Sequence, residues 1–437
     1  MSAPRRVRRA WWVLAIAFPL LTLIAAVGGV LIAGQGGFQA LSVPHHGELK
    51  PATDAATLAR GEYLARLGNC TTCHTRRGGA PLAGGRAFVT EWGTLYSTNL
   101  TPDADTGIGA WSLDEFRHVM AHGVSRNGPL YPAFPMQHFQ HLDSADVDAI
   151  FAWLMSRPAI ASDVPANRLE GIAGWRSAML GWRMLFHRPQ SLPDADAMGA
   201  SWQRGRYLVE GLGHCAMCHG ERGPWGSQEP LLRHAGSRIP GQGWLAPTLD
   251  RDTLSRWTVS DLARYLRTGT APQASAYGPM AEVIQSSLQH LTEADALAMA
   301  EYLLDLRPAP RLARRAAPPA ERARNLVGSH SLALYETHCA DCHGGDGRGR
   351  EGVFPPLAGN PQVTAADPVN LIRVTLFGAA APTTAANPAP HSMPPFADRL
   401  PEADLIALLN HVRGSWGNDA TAITPPQLQA IRTLPLE

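Results

Sequence analysis

Six cysteines and three histidines in this chain share one repeated spacing. "CTTCH" holds Cys70, Cys73 and His74; "CAMCH" holds Cys215, Cys218 and His219; "CADCH" holds Cys339, Cys342 and His343. No cysteine lies outside these motifs, so none is left over for a disulfide. Two thiols three positions apart can form thioethers with the two vinyl groups of a haem. The histidine that follows then ligates the iron beside its own covalent anchor. A dithiol redox site has no need of that histidine, and zinc would want paired knuckles. The spacing therefore reads as three covalently bound haem c groups, with His74, His219 and His343 as proximal iron ligands.

The ligand on the other side of the iron decides what such a centre does. A His/Met pair raises the reduction potential and fills both axial positions, which favours electron transfer over ligand chemistry. Three proline-rich loops each hold a methionine: "YPAFPMQHF" Met136, "YGPMAEV" Met280 and "HSMPPF" Met393. They follow their proximal histidines by 62, 61 and 50 positions. Proline restricts its own backbone and that of the residue before it, so it can fix where a sulfur lands. Met136, Met280 and Met393 are the expected distal ligands, with His138 the alternative in the first unit. His118, His122 and His141 read as surface or hydrogen-bonding histidines. His214, His338 and His391 sit near motifs without support from any repeat.

A proximal histidine usually donates its second ring N–H to a backbone carbonyl. "GWLAPTL" offers Pro247 for this, and "VFPPLAG" offers Pro355 or Pro356. "TLYSTNL" in the first unit has no proline and gives no assignment. "GGDGRGREG" (344–352) lacks the Lys-Ser/Thr of a phosphate loop and reads as the loop over a haem edge.

The elements that must position these groups also come in threes. A helical stretch precedes each motif: "TDAATLARGEYLARLGNC", with Thr53 or Asp54 as N-cap, "QRGRYLVEGLGHC" and "SLALYETHC". Downstream, "WSLDEFRHVMAHG" (111–123) matches "WTVSDLARYLRTG" (257–269) in spacing. The third unit has the shorter "DPVNLIRVTLFG", ending at Gly378. Each unit closes on an amphipathic helix with a core-facing stripe: "SADVDAIFAWLMSR", "LTEADALAMAEYLLDLR" and "LPEADLIALLNHVRG".

The chain begins with Arg5, Arg6, Arg8 and Arg9. A charge-free run from Trp11 to Ala33 follows. That run is long enough to cross a hydrocarbon core of about 30 Å. It is longer than the apolar core of a usual secretory signal. Arginines on its N-terminal side orient that end to the cytoplasm and the rest to the periplasm. Cleavage as a signal is the other reading.

The expected fold is mainly α, with three tandem class I cytochrome c domains behind one N-terminal transmembrane helix. The divisions are a cytoplasmic Arg-rich start 1–10, anchor 11–33, linker 34–52, first domain 53–159, linker 160–198, second domain 199–306, Pro/Arg linker 307–324, third domain 325–418 and tail 419–437. Inside 160–198, "GIAGWRSAMLGWRMLFHRP" is apolar and aromatic. It either packs on a neighbouring domain or touches a membrane surface or partner subunit.

The chain has 437 residues, is 45% hydrophobic and carries net charge +1. Lys50 is its only lysine, and no basic stripe with interleaved aromatics suggests nucleic acid. No hydrolase elbow or zinc-protease motif occurs. No catalytic residue is assigned, and no substrate-oxidising site of its own is expected.

On "GEYLARLGNCTTCHT", "GTLYSTNLTPDADTGIGAWSLDEFRHVMAHGV", "LYPAFP", "RGRYLVEGLGHCAMCHG", "GWLAPTL", "CADCHGGDG", "MPPF" and "VRGSWGN", the chain resembles the triheme cytochrome c subunits of membrane-bound periplasmic dehydrogenases. The likeness covers residues 54–418. Relatives of that kind serve quinoprotein alcohol dehydrogenases, flavin-dependent sugar dehydrogenases and molybdenum-dependent aldehyde or N-heterocycle dehydrogenases. The resemblance implies electron transfer from a catalytic partner to ubiquinone or another respiratory acceptor. Alcohol-dehydrogenase subunits typically read "YPAMP", with the methionine as ligand. This chain's "YPAFPMQHF" is closer to "YPAFPYDHF", seen beside molybdenum hydroxylases, in which a histidine takes the place of His138. That tilts the partner toward the molybdenum type. Two readings of other classes remain, a self-contained haem enzyme such as a peroxidase and a subunit of a respiratory oxidase.

Overall fold

A computed structural model describes residues 53–187, 195–308 and 321–434, with isolated positions elsewhere. Most of the anchor run 11–33 and most of the Pro/Arg linker fall outside the described residues. Among the described residues no helix is long and apolar enough to cross a membrane.

The chain is mainly helical and repeats one order of elements. In the first unit α1 (Ala55–Leu67) starts where the Asp54 side chain accepts from Thr57 N–H at 2.9 Å. One helical turn, Cys70–Cys73, carries the motif. Strands β1 (Ala87–Thr90) and β2 (Gly93–Tyr96) follow as a hairpin. Helix α2 (Leu113–His122) opens on a Ser112–Glu115 capping box and stops at Gly123, whose φ of 63° is a left-handed conformation that glycine adopts at low cost. A small hairpin comes next, β3 (Val124–Ser125) with β4 (Gly128–Pro129), then α3 (Met136–Phe139) and α4 (Ser144–Met155). The linker adds β5 (Arg168–Leu169) to the edge of β2, and then α5 (Ala178–Phe186).

The second unit repeats the plan. Helix α6 (Ala200–Arg206) continues as a π-helical stretch, Tyr207–Leu212, into the motif turn Ala216–His219. Strands β6 (Ser237–Arg238) and β7 (Leu245–Ala246) pair. Helix α7 (Val259–Thr268) is capped by Thr258 and stopped by Gly269. Strands β8 (Thr270–Ala271) and β9 (Ala274–Ser275), α8 (Gly278–Ser286) and α9 (Glu293–Asp305) complete it. The third unit has α10 (Ser329–His338), the motif turn Ala340–His343, α11 (Val369–Phe377), β10 (Ala379–Ala380) with β11 (Ser392–Met393), and α12 (Glu402–Gly414). The stretch after 418, read from sequence as a tail, forms α13 (Pro425–Arg432), and its Leu428 and Ile431 are buried in the third unit's core.

Glycines set the helix crossings. A Cβ on Gly61 of α1 would lie 1.9 Å from the Ala149 carbonyl oxygen of α4. A Cβ on Gly205 of α6 would lie 1.9 Å from that of Ala298 in α9. The first two units share one core, which includes Leu64, Phe151, Leu208, Leu212, Ile284 and Met299. The third has its own, around Ile372, Leu376, Leu405 and Leu409. It docks on the second through the Arg238–Asp367 pair at 2.7 and 2.9 Å and through Asn370, which bonds both backbone groups of Leu245.

Candidate haem-binding sites

The three motifs fold alike. In each, the histidine N–H donates to the carbonyl of the first cysteine, at 2.9 Å for His74, 3.0 Å for His219 and 2.9 Å for His343. One helical turn thus groups two thiols and an imidazole. The Nδ1 atom of His74 bonds the Thr98 carbonyl at 2.7 Å; His219 bonds Pro247 at 2.7 Å and His343 bonds Pro355 at 2.9 Å. A carbonyl only accepts, so Nδ1 carries the proton and Nε2 keeps its lone pair for a metal. The two proline partners match the sequence expectation. Thr98, in the unit with no proline to signal it, was not legible.

Burial holds these imidazoles in the neutral form a ligand needs, pulling His219 down to about 4 and lowering His74 and His343. Burial likewise pushes the thiols up, to about 12 for Cys70 and Cys215 and about 11 for Cys73 and Cys339. Among the described residues no cluster of three or more His, Cys, Asp or Glu could hold a bare metal ion.

Room for a large group lies beside the first motif. A cavity of about 2160 Å³ is lined by Cys70, Cys73 and His74 and reaches Cys218 of the second motif. It exceeds the roughly 300–1,000 Å³ of ordinary small-molecule pockets. The donor set, the tautomers and this space fit a covalently held haem. Such a group supplies one-electron chemistry, and the chain's own residues anchor it, present an imidazole and exclude water.

The distal side is where hairpin register matters. The Leu130 N–H returns to the Gly123 carbonyl at 2.9 Å, and the Ala276 N–H returns to that of Gly269 at 2.7 Å. The two hairpins are therefore equivalent, and each leads to a tyrosine, Tyr131 or Tyr277, eight positions after its glycine. Three residues beyond the tyrosine stand Phe134 in one unit and Met280 in the other. Phe134 lines the cavity with His74; Met136 and His138 do not. Met136 is buried, with its Sδ accepting from Arg183 Nη1 at 3.7 Å. His138 is buried too, its Nδ1–H donating across the unit boundary to the Glu210 carbonyl at 2.6 Å. Burial pulls His138 down to about 3. The structure therefore does not bring Met136 and His74 to one cavity. Met280, on the first turn of α8, packs against the shared core. Met393, on β11 opposite Ala379, packs against the third core.

The model for cytochrome c matches residues 332–416. The gluconate 2-dehydrogenase cytochrome c subunit of Pantoea cypripedii is 37% identical over 399 residues, 86% of this chain and 90% of that protein. This chain belongs to the family of dehydrogenase cytochrome c subunits. The alcohol dehydrogenase (quinone) cytochrome c subunit of Gluconobacter oxydans is 35% identical to it over 87% of this chain and 83% of its own length. A nicotinate dehydrogenase subunit of Pseudomonas putida is 38% identical over 94% of this chain, which spans only 34% of that longer protein.

One ion pair links the neighbourhoods of the first two motifs of this cytochrome subunit, and a buried carboxylate ties the second unit together. Arg86 donates to both oxygens of Glu282, two residues after Met280, at 2.7 and 2.9 Å, and to the Thr72 carbonyl inside the first motif at 3.0 Å. Glu210, on the π-helical stretch, is buried and accepts from His234, Tyr302 and Arg233 at 2.7, 2.7 and 3.1 Å. Neither residue belongs to a motif, and nothing in the sequence singled them out.

Proposed function

We propose that this subunit is a relay of three c-type haems in three cytochrome c domains. It takes electrons from a dehydrogenase partner and passes them to ubiquinone or another respiratory acceptor. An electron-transfer role follows from the family; the three centres rest on one observation made three times, an imidazole whose Nδ1 is fixed on a carbonyl next to two free thiols. Cys70, Cys73, Cys215, Cys218, Cys339 and Cys342 hold the haems, His74, His219 and His343 ligate from one side, and Met280 and Met393 from the other. The carbonyl bond raises the basicity of each imidazole, and the thioether sulfur raises the potential.

The partner proposed is a molybdenum-dependent aldehyde or N-heterocycle dehydrogenase. Support comes from the phenylalanine in "YPAFP" and from the likeness to the nicotinate dehydrogenase protein. A quinoprotein alcohol dehydrogenase or flavin-dependent sugar dehydrogenase is the alternative. The arginine-flanked run Trp11–Ala33 anchors the chain in the inner membrane, with the haem domains in the periplasm.

Phe134 at the methionine register favours a second reading, a haem enzyme such as a peroxidase, at the first centre alone. A reduced-minus-carbon-monoxide difference spectrum separates the two. The relay expects no CO-reactive haem; reactivity confined to the first haem favours the second reading, and reactivity at the second or third would overturn the relay. Co-purification of the intact complex identifies the partner.

A further inference from the structure

The base of the β1–β2 hairpin serves two units. The Ser97 N–H donates to the Arg86 carbonyl at 3.0 Å, and the Arg86 N–H donates to the Ser97 hydroxyl at 3.0 Å. The next residue, Thr98, supplies the carbonyl that fixes His74. The Arg86 backbone therefore belongs to the frame that orients the first proximal imidazole. Its side chain reaches across to the second unit. Nη1 donates to the Thr72 carbonyl inside the first motif and to one Glu282 oxygen, and Nη2 donates to the other. The planar fork of arginine meets a carboxylate on two parallel bonds, which a lysine ammonium does not.

Glu282 lies on α8, two residues after Met280. Positions two apart on a helix point about 200° apart. One turn of α8 thus gives Met280 to the shared core and Glu282 to the first motif's arginine. Arg86 and Glu282 line one cavity together with Cys73 of the first motif and Cys218 of the second. Arg86, Glu282 and Cys218 all stand close enough to Cys73 to act on its charge. The ion pair is therefore placed beside the anchoring thiols of two units, with one charge from each unit.

A charge beside a redox centre shifts its potential. A cation favours the reduced state and an anion the oxidised one. With both partners present the two fields largely cancel; removing one uncovers the other. The arginine side chain is only 24% exposed, so water screens the pair incompletely.

We propose that Arg86 and Glu282 set the potentials of the first two centres as a pair, each cancelling the other's charge where the Met280 helix is tied to the first motif. This rests on the relay proposed above, with haems on both motifs and Met280 as a ligand.

The test is a potentiometric titration of the full haem-loaded chain, read haem by haem in optical and electron paramagnetic resonance spectra. Arg86→Gln uncovers the carboxylate and should lower the midpoint potentials of the first two haems. Glu282→Gln uncovers the guanidinium and should raise them. The double variant should return toward the wild type. Arg86→Lys keeps the charge and should shift the potentials less than Arg86→Gln does. Shifts of one sign in both single variants would mean that the contact only props α8 in place, and would overturn the charge balance. So would Arg86→Lys shifting as far as Arg86→Gln. A shift in Arg86→Gln with none in Glu282→Gln would assign Arg86 to the first haem alone and overturn the pair, as would no shift in either. Failure of the relay reading looks different: the wild type itself would lack a haem on one of the two motifs, or a methionine-ligated second haem.

Discussion

The Tyr63 hydroxyl donates to the Asp295 carboxylate at 2.6 Å, across 232 positions of sequence. Tyr207 makes the same contact in the opposite direction, to Asp146 at 2.7 Å. Each aspartate also holds an arginine of its own unit, Arg204 on Asp295 at 2.9 Å and Arg60 on Asp146 at 2.6 Å. The first two units therefore meet about a pseudo-two-fold axis, each offering a helix-start aspartate and receiving the other's tyrosine. Burial, with the neighbouring carboxylate, raises both phenols, so they stay protonated donors.

Tyr63→Phe and Tyr207→Phe should each cost about 1.5 kcal/mol, the low end for a hydrogen bond to a charged group. The Asp295→Ala change should cost more than Tyr63→Phe, because it also strands the Arg204 guanidinium. Denaturant unfolding followed by near-UV circular dichroism measures this. Equal losses for Asp295→Ala and Tyr63→Phe would show that the arginine bond contributes nothing.

Gly61→Ala and Gly205→Ala test the helix crossings. Each methyl would meet a carbonyl oxygen at 1.9 Å, backbone that has no soft rotamer to move. Ordinary overpacking costs about 1–3 kcal/mol, and these should lie at or above the top of that range. Gly181→Ala is the control: nothing lies within 4 Å of its would-be Cβ, and the change should stabilise α5 by about 0.5–1 kcal/mol. Thermal unfolding of the three variants gives the ranking.

Much of this architecture was legible in the sequence. The motif turns, the caps at Ser112 and Thr258, the helix-ending Gly123 and Gly269 and the Pro247 carbonyl follow from local chemistry, and the structure chooses Asp54 over Thr53 and Pro355 over Pro356. What was not legible depends on partners far away in sequence. "GEYLARLGNC" has one residue fewer than "GRYLVEGLGHC" between its glycine and its cysteine. Gly205 is pinned against Ala298 and Cys215 belongs to the motif, so the extra residue is absorbed between them as a π-helical stretch. There the Gly213 N–H reaches back five residues to the Leu208 carbonyl, and the Glu210 carbonyl accepts His138 instead. Helix α13 was missed because Leu428 and Ile431 make too short a stripe to stand out from a proline-rich tail. At the first centre, counting from His74 favours Met136, whereas counting from Gly123 along the hairpin reaches Phe134, which lines the His74 cavity.

That register makes a spectroscopic prediction. Met280→Ala and Met393→Ala should each convert one haem to high spin, visible as loss of the low-spin signature in the reduced spectrum and in electron paramagnetic resonance. Met136→Ala should leave all the haem spectra unchanged, since its sulfur lies against Arg183 and outside the His74 cavity. A new high-spin haem in Met136→Ala would return the ligand role to that residue. His138→Ala removes the bond to the Glu210 carbonyl, so its expected effect is a loss of about 1 kcal/mol of stability rather than a change of spin state.

Glu210 gives the pH prediction. Burial alone would raise its carboxyl, but the His234 hydrogen bond and charge, with Arg233 and Tyr302, outweigh that and hold it near about 2, below its ordinary 4.5. A carboxylate depressed in the folded state contributes its full stability above the unfolded value and loses it as pH falls through the folded one. The unfolding free energy of the wild type should therefore exceed that of Glu210→Gln by about 3 kcal/mol at neutral pH, the loss typical of breaking a buried ion pair. The gap should close progressively as pH falls from about 4.5 toward about 2. Urea unfolding of both proteins at a series of pH values measures it. A gap that stays constant across that window would mean that Glu210 stabilises by packing alone, and that its carboxylate is not the charge to which His234 and Arg233 are bound.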